Sequence, residues 1–302
     1  MVPATRLGDS SHGTVLRSHK IAEGLLETKV AVLGRRVGQP YSVEVEGRLH
    51  GIPVASKRAD LPRDKDYALI DLELALSEAQ RKAPPESLAR AAPADNPRCW
   101  TPGGVALWSP DHPTLYDVVL RLRDGAGRVV DEVDTYAGFR SVEWGRGDGT
   151  FRLNGQPLFQ TLCLDQGYWP GTGMTPPAPG ESVRADIELS KRMGFNGCRK
   201  HQKVEDPLFL YWADRLGYLV WGEMANAYEF GAEYAARFEA EWAESVRRDR
   251  NHPCVVVWTP VNESWAYPNL KDSVEQRNHI RALYYLTKCV ASPHLISPPV
   301  SL

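Results

Sequence analysis

Residues 251–265 read NHPCVVVWTPVNESW. A His-Pro turn at 252–253 releases an unbroken apolar run, Val255 to Trp258, and within a few positions the chain carries Asn262 and Glu263. A continuous run of β-branched and aromatic residues, with no alternation, is what a strand buried on both faces requires, and such strands belong to parallel sheets covered by helices. In those folds the chemistry gathers just beyond the carboxyl ends of the strands. The decisive question is whether the flanking sequence repeats the same unit.

It does. Upstream, QPLFQTLCLD (156–165) begins a strand, and Ser182 is placed to cap a helix with Val183 and Ile187 four apart, then Leu189 and Met193 four apart, ending at Gly194. FNGCRKH (195–201) is the next strand. Asp206-Pro207 opens a helix through LFLYWADRLG (208–217), with proline where its missing N–H costs nothing. YLVWGE (218–223) follows as a strand, AEYAARFEAEWAESVRRDR (232–250) as a helix, then the opening strand. DSVEQRNHIRALYYLTK (272–288) supplies a fourth helix with Ile280, Leu283, Tyr284 and Thr287 on one face. Four strand-helix units are visible, where a closed barrel needs eight.

The first half has a different grammar. YSVEVEGRLHGIPV (41–54) alternates, and LYDVVLRLRDGAGRVVDEVDTYAGFR (115–140) has Asp124-Gly125 and Gly127 between two strand-forming runs, a hairpin. An antiparallel sandwich is expected over 1–143 and the strand-helix region over 144–302, with a divergent tail after about 288. LSEAQRKAPPESLARAAPADNPR (76–98), rich in Ala, Pro and charge, reads as a mobile loop within the sandwich. Asn154-Gly155 turns one short strand into the next.

Composition removes several function classes. Lys+Arg 36 against Asp+Glu 38 gives a net charge of −2, and the basic residues form no stripe, so nucleic acid is not the expected partner. No run approaches the roughly 20 apolar residues of a membrane span, and no signal peptide is visible, which favours a soluble, cytoplasmic protein. The five cysteines are odd in number and lack a CxxC pair, so buried thiols are expected rather than disulfides or a metal site.

The positions closing the strands are Asp165, with Trp169 just beyond, then Arg199 and His201, Glu223, and Asn262-Glu263 with Trp265. Carboxylate, guanidinium, imidazole and amide with interleaved indoles suit a polyhydroxylated ligand. Asp165 and Glu223 read either as hydroxyl acceptors or as structural partners of Arg199. His201 is a pocket wall or an ordinary satisfied histidine, and Trp169 and Trp265 are sugar platforms or packing. His50 and His112 are expected at the surface. Asn262-Glu263-Ser264 spells a glycosylation sequon, which a pocket floor would not accommodate.

These segments resemble glycoside hydrolase family 2, the group containing β-galactosidases, β-glucuronidases and β-mannosidases. HPCVVVWTPVNES (252–264) looks like the family's acid/base segment; LWSPDHPTLYDVVLRL (107–122) and GFRSVEW (138–144) resemble the end of its immunoglobulin-like domain; FRLNGQPLFQ (151–160) and MGFNGCRKHQKVEDPLFLYWADRLGYLVWGEM (193–224) follow in the family's order. The resemblance implies an immunoglobulin-like sandwich followed by the first half of a TIM-type α/β barrel, and retaining hydrolysis of β-glycosides. That chemistry uses two carboxyl groups about 5–5.5 Å apart. Glu263 matches the general acid/base, tuned by apolar neighbours such as Trp258 and by the nucleophile's like charge. Asn262 matches the amide that holds the sugar 2-hydroxyl, and Arg199 the arginine that keeps the nucleophile ionised. The nucleophile in the family ends the seventh strand, whereas 39 residues follow Glu263 here. CVASPHLISPPVSL (289–302) offers Pro293, Pro298 and Pro299 where a fifth strand is due. The family's sugar-binding domain before the sandwich has no counterpart. The resemblance therefore implies no nucleophile in this chain, no cofactor and no metal, since EMANAYEFG (223–231) lacks the histidine of metal-binding relatives. An open half-barrel with unpaired edges implies self-association, or complementation by the missing half.

Overall fold

A computed structural model of the chain describes residues 5–291, other than 37, 83, 145 and 146, together with 295 and 296. They fall into two compact units, divided between Ser141 and Val142.

In the first unit β1 (Arg6–Leu7), β2 (Val15–His19) and β3 (Leu25–Leu33) precede β4 (Tyr41–Leu49), β5 (Ile52–Asp60) and β6 (Tyr67–Glu73). Two short helices, α1 (Glu78–Lys82) and α2 (Glu86–Ala91), lead to β7 (Tyr116–Asp124) and β8 (Val129–Ala137). One sheet joins β1, β2 and β6 around β3, and the other runs β5-β4-β7-β8, all pairs antiparallel. The alternation read in the sequence is the reason: Val43, Val45, Leu120 and Leu122 from one sheet and Leu26, Ile70 and Leu72 from the other share one buried core. The expected hairpin is β7–β8, with Gly127 at φ +80°.

Residues 76–98 are not a bare loop. They hold α1 and α2, and Leu88 sits fully buried within the sandwich core, so one well-placed leucine overrides a composition that reads as solvated. His112 is half-buried rather than at the surface: Nδ1 lies 3.1 Å from the Ala91 carbonyl oxygen and Nε2 3.1 Å from Asn96 Nδ2, tying down the end of α2.

The second unit opens with a small antiparallel sheet of β9 (Val142–Glu143), β10 (Arg152–Leu153) and β11 (Gln156–Pro157), the last two joined by Asn154-Gly155 at φ +54° and +74°. Then come β12 (Leu162–Asp165), α3 (Pro179–Arg192), β13 (Gly197–Lys200), α4 (Pro207–Leu216), β14 (Leu219–Glu223), α5 (Ala232–Asp249), β15 (Val255–Thr259), α6 (Val274–Ala291) and β16 (Leu295–Ile296). The sheet order is β12-β13-β14-β15-β16, every pair parallel. β15 is buried along its whole length, which accounts for its unbroken apolar sequence. Gly197 is obligatory, because a Cβ there would meet the Leu219 carbonyl oxygen at 2.5 Å.

Three local expectations change. α3 begins at Pro179, ahead of Ser182, whose hydroxyl donates to the Ala178 carbonyl (2.7 Å) instead of capping. On that helix Val183 and Ile187 are buried, but Leu189 and Met193 are 48% and 68% exposed; two i,i+4 pairs need not share a face. A fifth strand does form, as two residues in which Leu295 pairs with Val257 and Ile296 with Trp258. The paired positions fall between the prolines, and Pro293, Pro298 and Pro299 lie outside the described residues. Cys99, Cys198 and Cys254 are buried free thiols, Cys163 is half-buried and Cys289 exposed.

Candidate active site

At the carboxyl end of β13 the side chains alternate across the sheet. Arg199 projects toward its neighbours' ends: Nε donates to Glu223 Oε2 (2.8 Å) at the close of β14, and Nη2 donates to Asn262 Oδ1 (2.5 Å) just beyond β15. Glu223 is fully buried and its other oxygen accepts the Gln202 backbone N–H at 2.9 Å. Arg199, Glu223 and Asn262 thus form one cluster spanning three strands. Of the two sequence readings for Glu223, the structural partner of Arg199 is the one adopted.

Lys200 goes to the helix side, its ammonium 3.8 Å from the centroid of Phe209 on α4. There it meets Asp165 (2.5 Å) and Glu205 (2.6 Å), and Lys203 joins through Glu205 (3.0 Å). Asp165 therefore belongs to Lys200, not to Arg199. Burial disfavours the charge on Lys200, but the negative neighbours outweigh it and raise its pKa; burial likewise works against Glu205, whose pKa is lowered by Lys200. Lys203 also donates to the carbonyls of Gly167 (3.0 Å) and Met174 (2.8 Å), so the network holds the loop that follows β12. Lys200 is visible in the sequence as a strand-end residue between Arg199 and His201, and the period of a strand places it on the face opposite Arg199; nothing in the sequence marks Lys203.

That loop carries Trp169, half-buried, with its backbone N–H donating to Gly173 (2.6 Å). His201, also half-buried, has Nδ1 3.2 Å from Gln166 Nε2.

Glu263 stands apart. It is exposed, accepts no hydrogen bond among the described residues, and has a left-handed backbone at φ +51°. The turn is closed by Trp265 N–H donating to Asn262 O at 3.3 Å. Non-glycine residues seldom adopt positive φ, and Gln202 (+53°), Glu263 and Ala266 (+69°) all do so in the loops beyond β13 and β15. Trp258 is not a neighbour that tunes Glu263. Its ring packs edge-to-face on Trp242 of α5 (5.7 Å) and against Gly222, on the helix side of the sheet.

Trp265 is 41% exposed and stacks edge-to-face with Tyr228 (5.4 Å), and its carbonyl accepts from Asn226 Nδ2 (2.9 Å). Tyr234 donates to Asn226 Oδ1 and lies 3.2 Å from Tyr267, whose hydroxyl is 2.8 Å from His279 Nδ1. Asn226 and Tyr228 were not singled out from sequence; polar and aromatic residues immediately past a strand end were the available signal. Among the described residues no group of three or more His, Cys, Asp or Glu could hold a metal, and no helix is long and apolar enough to cross a membrane.

Residues 65–140 match the model of "Glycosyl hydrolases family 2" and residues 171–297 that of "Glycosyl hydrolases family 2, TIM barrel domain", together more than half of the chain. The chain belongs to glycosyl hydrolase family 2. Its relatives include a β-galactosidase of Pectobacterium atrosepticum (33% identity over 168 residues, 52% of this chain and 16% of the relative) and one of Thermoanaerobacter pseudethanolicus (34% over 159 residues, 52% and 21%). The β-glucuronidase structure of Bacteroides uniformis superposes with a TM-score of 0.77 at 20% identity, covering 98% of this chain and 34% of that one, which establishes the fold. This family 2 chain spans about a third of the solved relative and matches about a fifth or less of the two curated ones. Its architecture is the family's sandwich followed by part of its TIM barrel.

Proposed function

We propose that this chain carries the proton-donating side of a retaining β-glycosidase site of the β-galactosidase or β-glucuronidase type. The observation that carries it is the Asn262–Trp265 turn: Glu263 exposed, without a hydrogen bond among the described residues and held in left-handed backbone, next to an almost fully buried Asn262 anchored by Arg199. Strain of that kind is kept where the surroundings enforce it, and it clusters at active sites.

On this reading Glu263 protonates the departing glycosidic oxygen, then takes a proton from the incoming water. Asn262 spends its carbonyl oxygen on Arg199, which fixes the amide so that its NH2 can donate to the sugar 2-hydroxyl. His201 and Trp169 serve as pocket-wall residues, and Asp165 holds the loop that bears Trp169 by accepting the Gly167 N–H (2.7 Å) and, through Lys200 and Glu205, by linking to Lys203. Glu223 is not the nucleophile, since its carboxylate is buried and committed to Arg199 and Gln202. On this reading the described residues supply the acid/base and not the second carboxylate, and the chain by itself binds glycosides without turning them over.

The test is hydrolysis of phenyl and nitrophenyl β-galactoside and β-glucuronide by the chain and by Glu263→Gln, with binding read in parallel. Expected are binding, weakened by Asn262→Ala, and no turnover. Turnover lost in Glu263→Gln would mean that the chain, or a second copy, supplies the nucleophile. Turnover of phenyl glycosides surviving in that variant would remove Glu263 from the acid/base role, and absence of binding would remove the site.

A second reading rests on the edge of the sheet at β12. Leu164 is 61% exposed, Leu189 48% and Met193 68%. We propose self-association, or complementation by another barrel segment, through this apolar edge. A monodisperse monomer in light scattering would overturn it.

A further inference from the structure

We infer that Tyr228 and Trp265 form a platform for the leaving group, making the site selective for β-glycosides whose aglycone presents a flat ring face. The inference rests on Glu263 being the acid. A general acid must come within hydrogen-bond distance of the oxygen it protonates, and that oxygen is bonded directly to the aglycone. The first ring of the leaving group therefore lies against whatever adjoins Glu263 on its solvent side. In the same turn, two residues on, is Trp265, whose own N–H closes the turn to Asn262 O. Its indole is 41% exposed and Tyr228, from the loop after β14, is 83% exposed.

Two large aromatics left this open to water need a reason, and these two are held rather than loose. Their rings meet edge-to-face at 5.4 Å and 76°. Asn226 donates to the Trp265 carbonyl at 2.9 Å and accepts from Tyr234, so one side chain joins the two loops. A platform fixed before the ligand arrives loses little freedom on binding. Its edge-to-face geometry leaves ring surface free to stack on a planar aryl group or on the C–H face of a pyranose.

The experiment compares phenyl and methyl β-D-galactosides and β-D-glucuronides for binding to the 302-residue chain, read by saturation-transfer difference NMR titration. Phenyl glycosides should bind about 3- to 10-fold tighter than methyl ones, the range an aromatic pair supplies, with saturation strongest on the phenyl protons. Trp265→Ala and Tyr228→Ala should each bring the ratio toward one, with an unchanged urea midpoint of the second unit reporting that the fold is intact; Trp265→Phe should retain most of the preference. Equal binding of phenyl and methyl glycosides by the native chain, or a preference that survives both alanine variants, overturns the platform and leaves Glu263 its role. Binding of neither glycoside overturns the platform and the acid/base reading together.

Discussion

Replacing Arg199 with methionine removes a cation while keeping most of the side-chain volume. Arg199 Nε lies 2.8 Å from Glu223 Oε2 and Nη2 2.5 Å from Asn262 Oδ1, and after the substitution Glu223 keeps only the Gln202 N–H at 2.9 Å. Breaking a buried pair costs about 3–5 kcal/mol, because one charge stays buried without its partner. Glu223 is wholly buried but Arg199 is 31% exposed, so water screens part of the attraction and the expected loss is roughly 2–4 kcal/mol. Glu223→Gln should cost less, since the neutral amide does not need the cation. In the double variant the burial penalty disappears, leaving a coupling energy of about 1–2 kcal/mol. Urea unfolding followed by tryptophan fluorescence measures this, and seven of the nine tryptophans follow residue 142, so the signal reports mainly on the second unit. Additivity of the two single variants within about 0.5 kcal/mol would refute the pairing. It would also leave Glu223 free for chemistry and reopen it as a nucleophile.

Glu263→Gln should change stability by no more than about 0.5 kcal/mol in the same urea assay, because the carboxylate is exposed and makes no hydrogen bond among the described residues. Burial works against the charge on His252, but Asp214 at 2.6 Å outweighs it and raises the histidine's pKa above 6.5. The stabilisation is therefore complete below about pH 6.5 and is lost as pH rises through the folded value, so the urea midpoint of the second unit should fall over that window and His252→Gln should flatten it. His279, lowered by burial against the pull of Glu239, acts in the opposite sense and below 6.5, which keeps the two effects apart. Leu88→Ala should destabilise the first unit by about 2–5 kcal/mol and speed amide exchange in β4 and β7; a mobile loop at 76–98 would leave that exchange unchanged.

The parallel strands were legible because each signal was redundant. Asp206-Pro207 and Gly217 bracket α4 independently of its apolar face, and Asp206 does accept the Leu208 N–H while Gly217 takes φ +69°. Where one signal stood alone it misled. Ser182 resembles a cap, but Pro179 had already started the helix; the prolines of the tail argued against a strand that needs only two paired residues. Leu88 is the same lesson inverted, since composition averages over a window and burial is decided one residue at a time.

The site residues divide along a line that a sequence cannot draw. Positions past strand ends name the candidates, but which carboxylate is spent on structure depends on the face from which its partner arrives. Strand alternation sends Arg199 to Glu223 and Asn262 and the next residue, Lys200, to Asp165 and Glu205, so adjacent cations neutralise two carboxylates that each read as a ligand contact. Once both are committed, Glu263 is left without a hydrogen-bond partner among the described residues, on a strained turn whose neighbours Asn262 and Ala266 are 3% and 1% exposed. Under the proposed acid/base role, a group that gains and loses a proton in each cycle is best placed where no fixed cation pins its charge, yet where its backbone cannot drift. The two buried networks supply that rigidity, and the turn leaves Glu263 free of both.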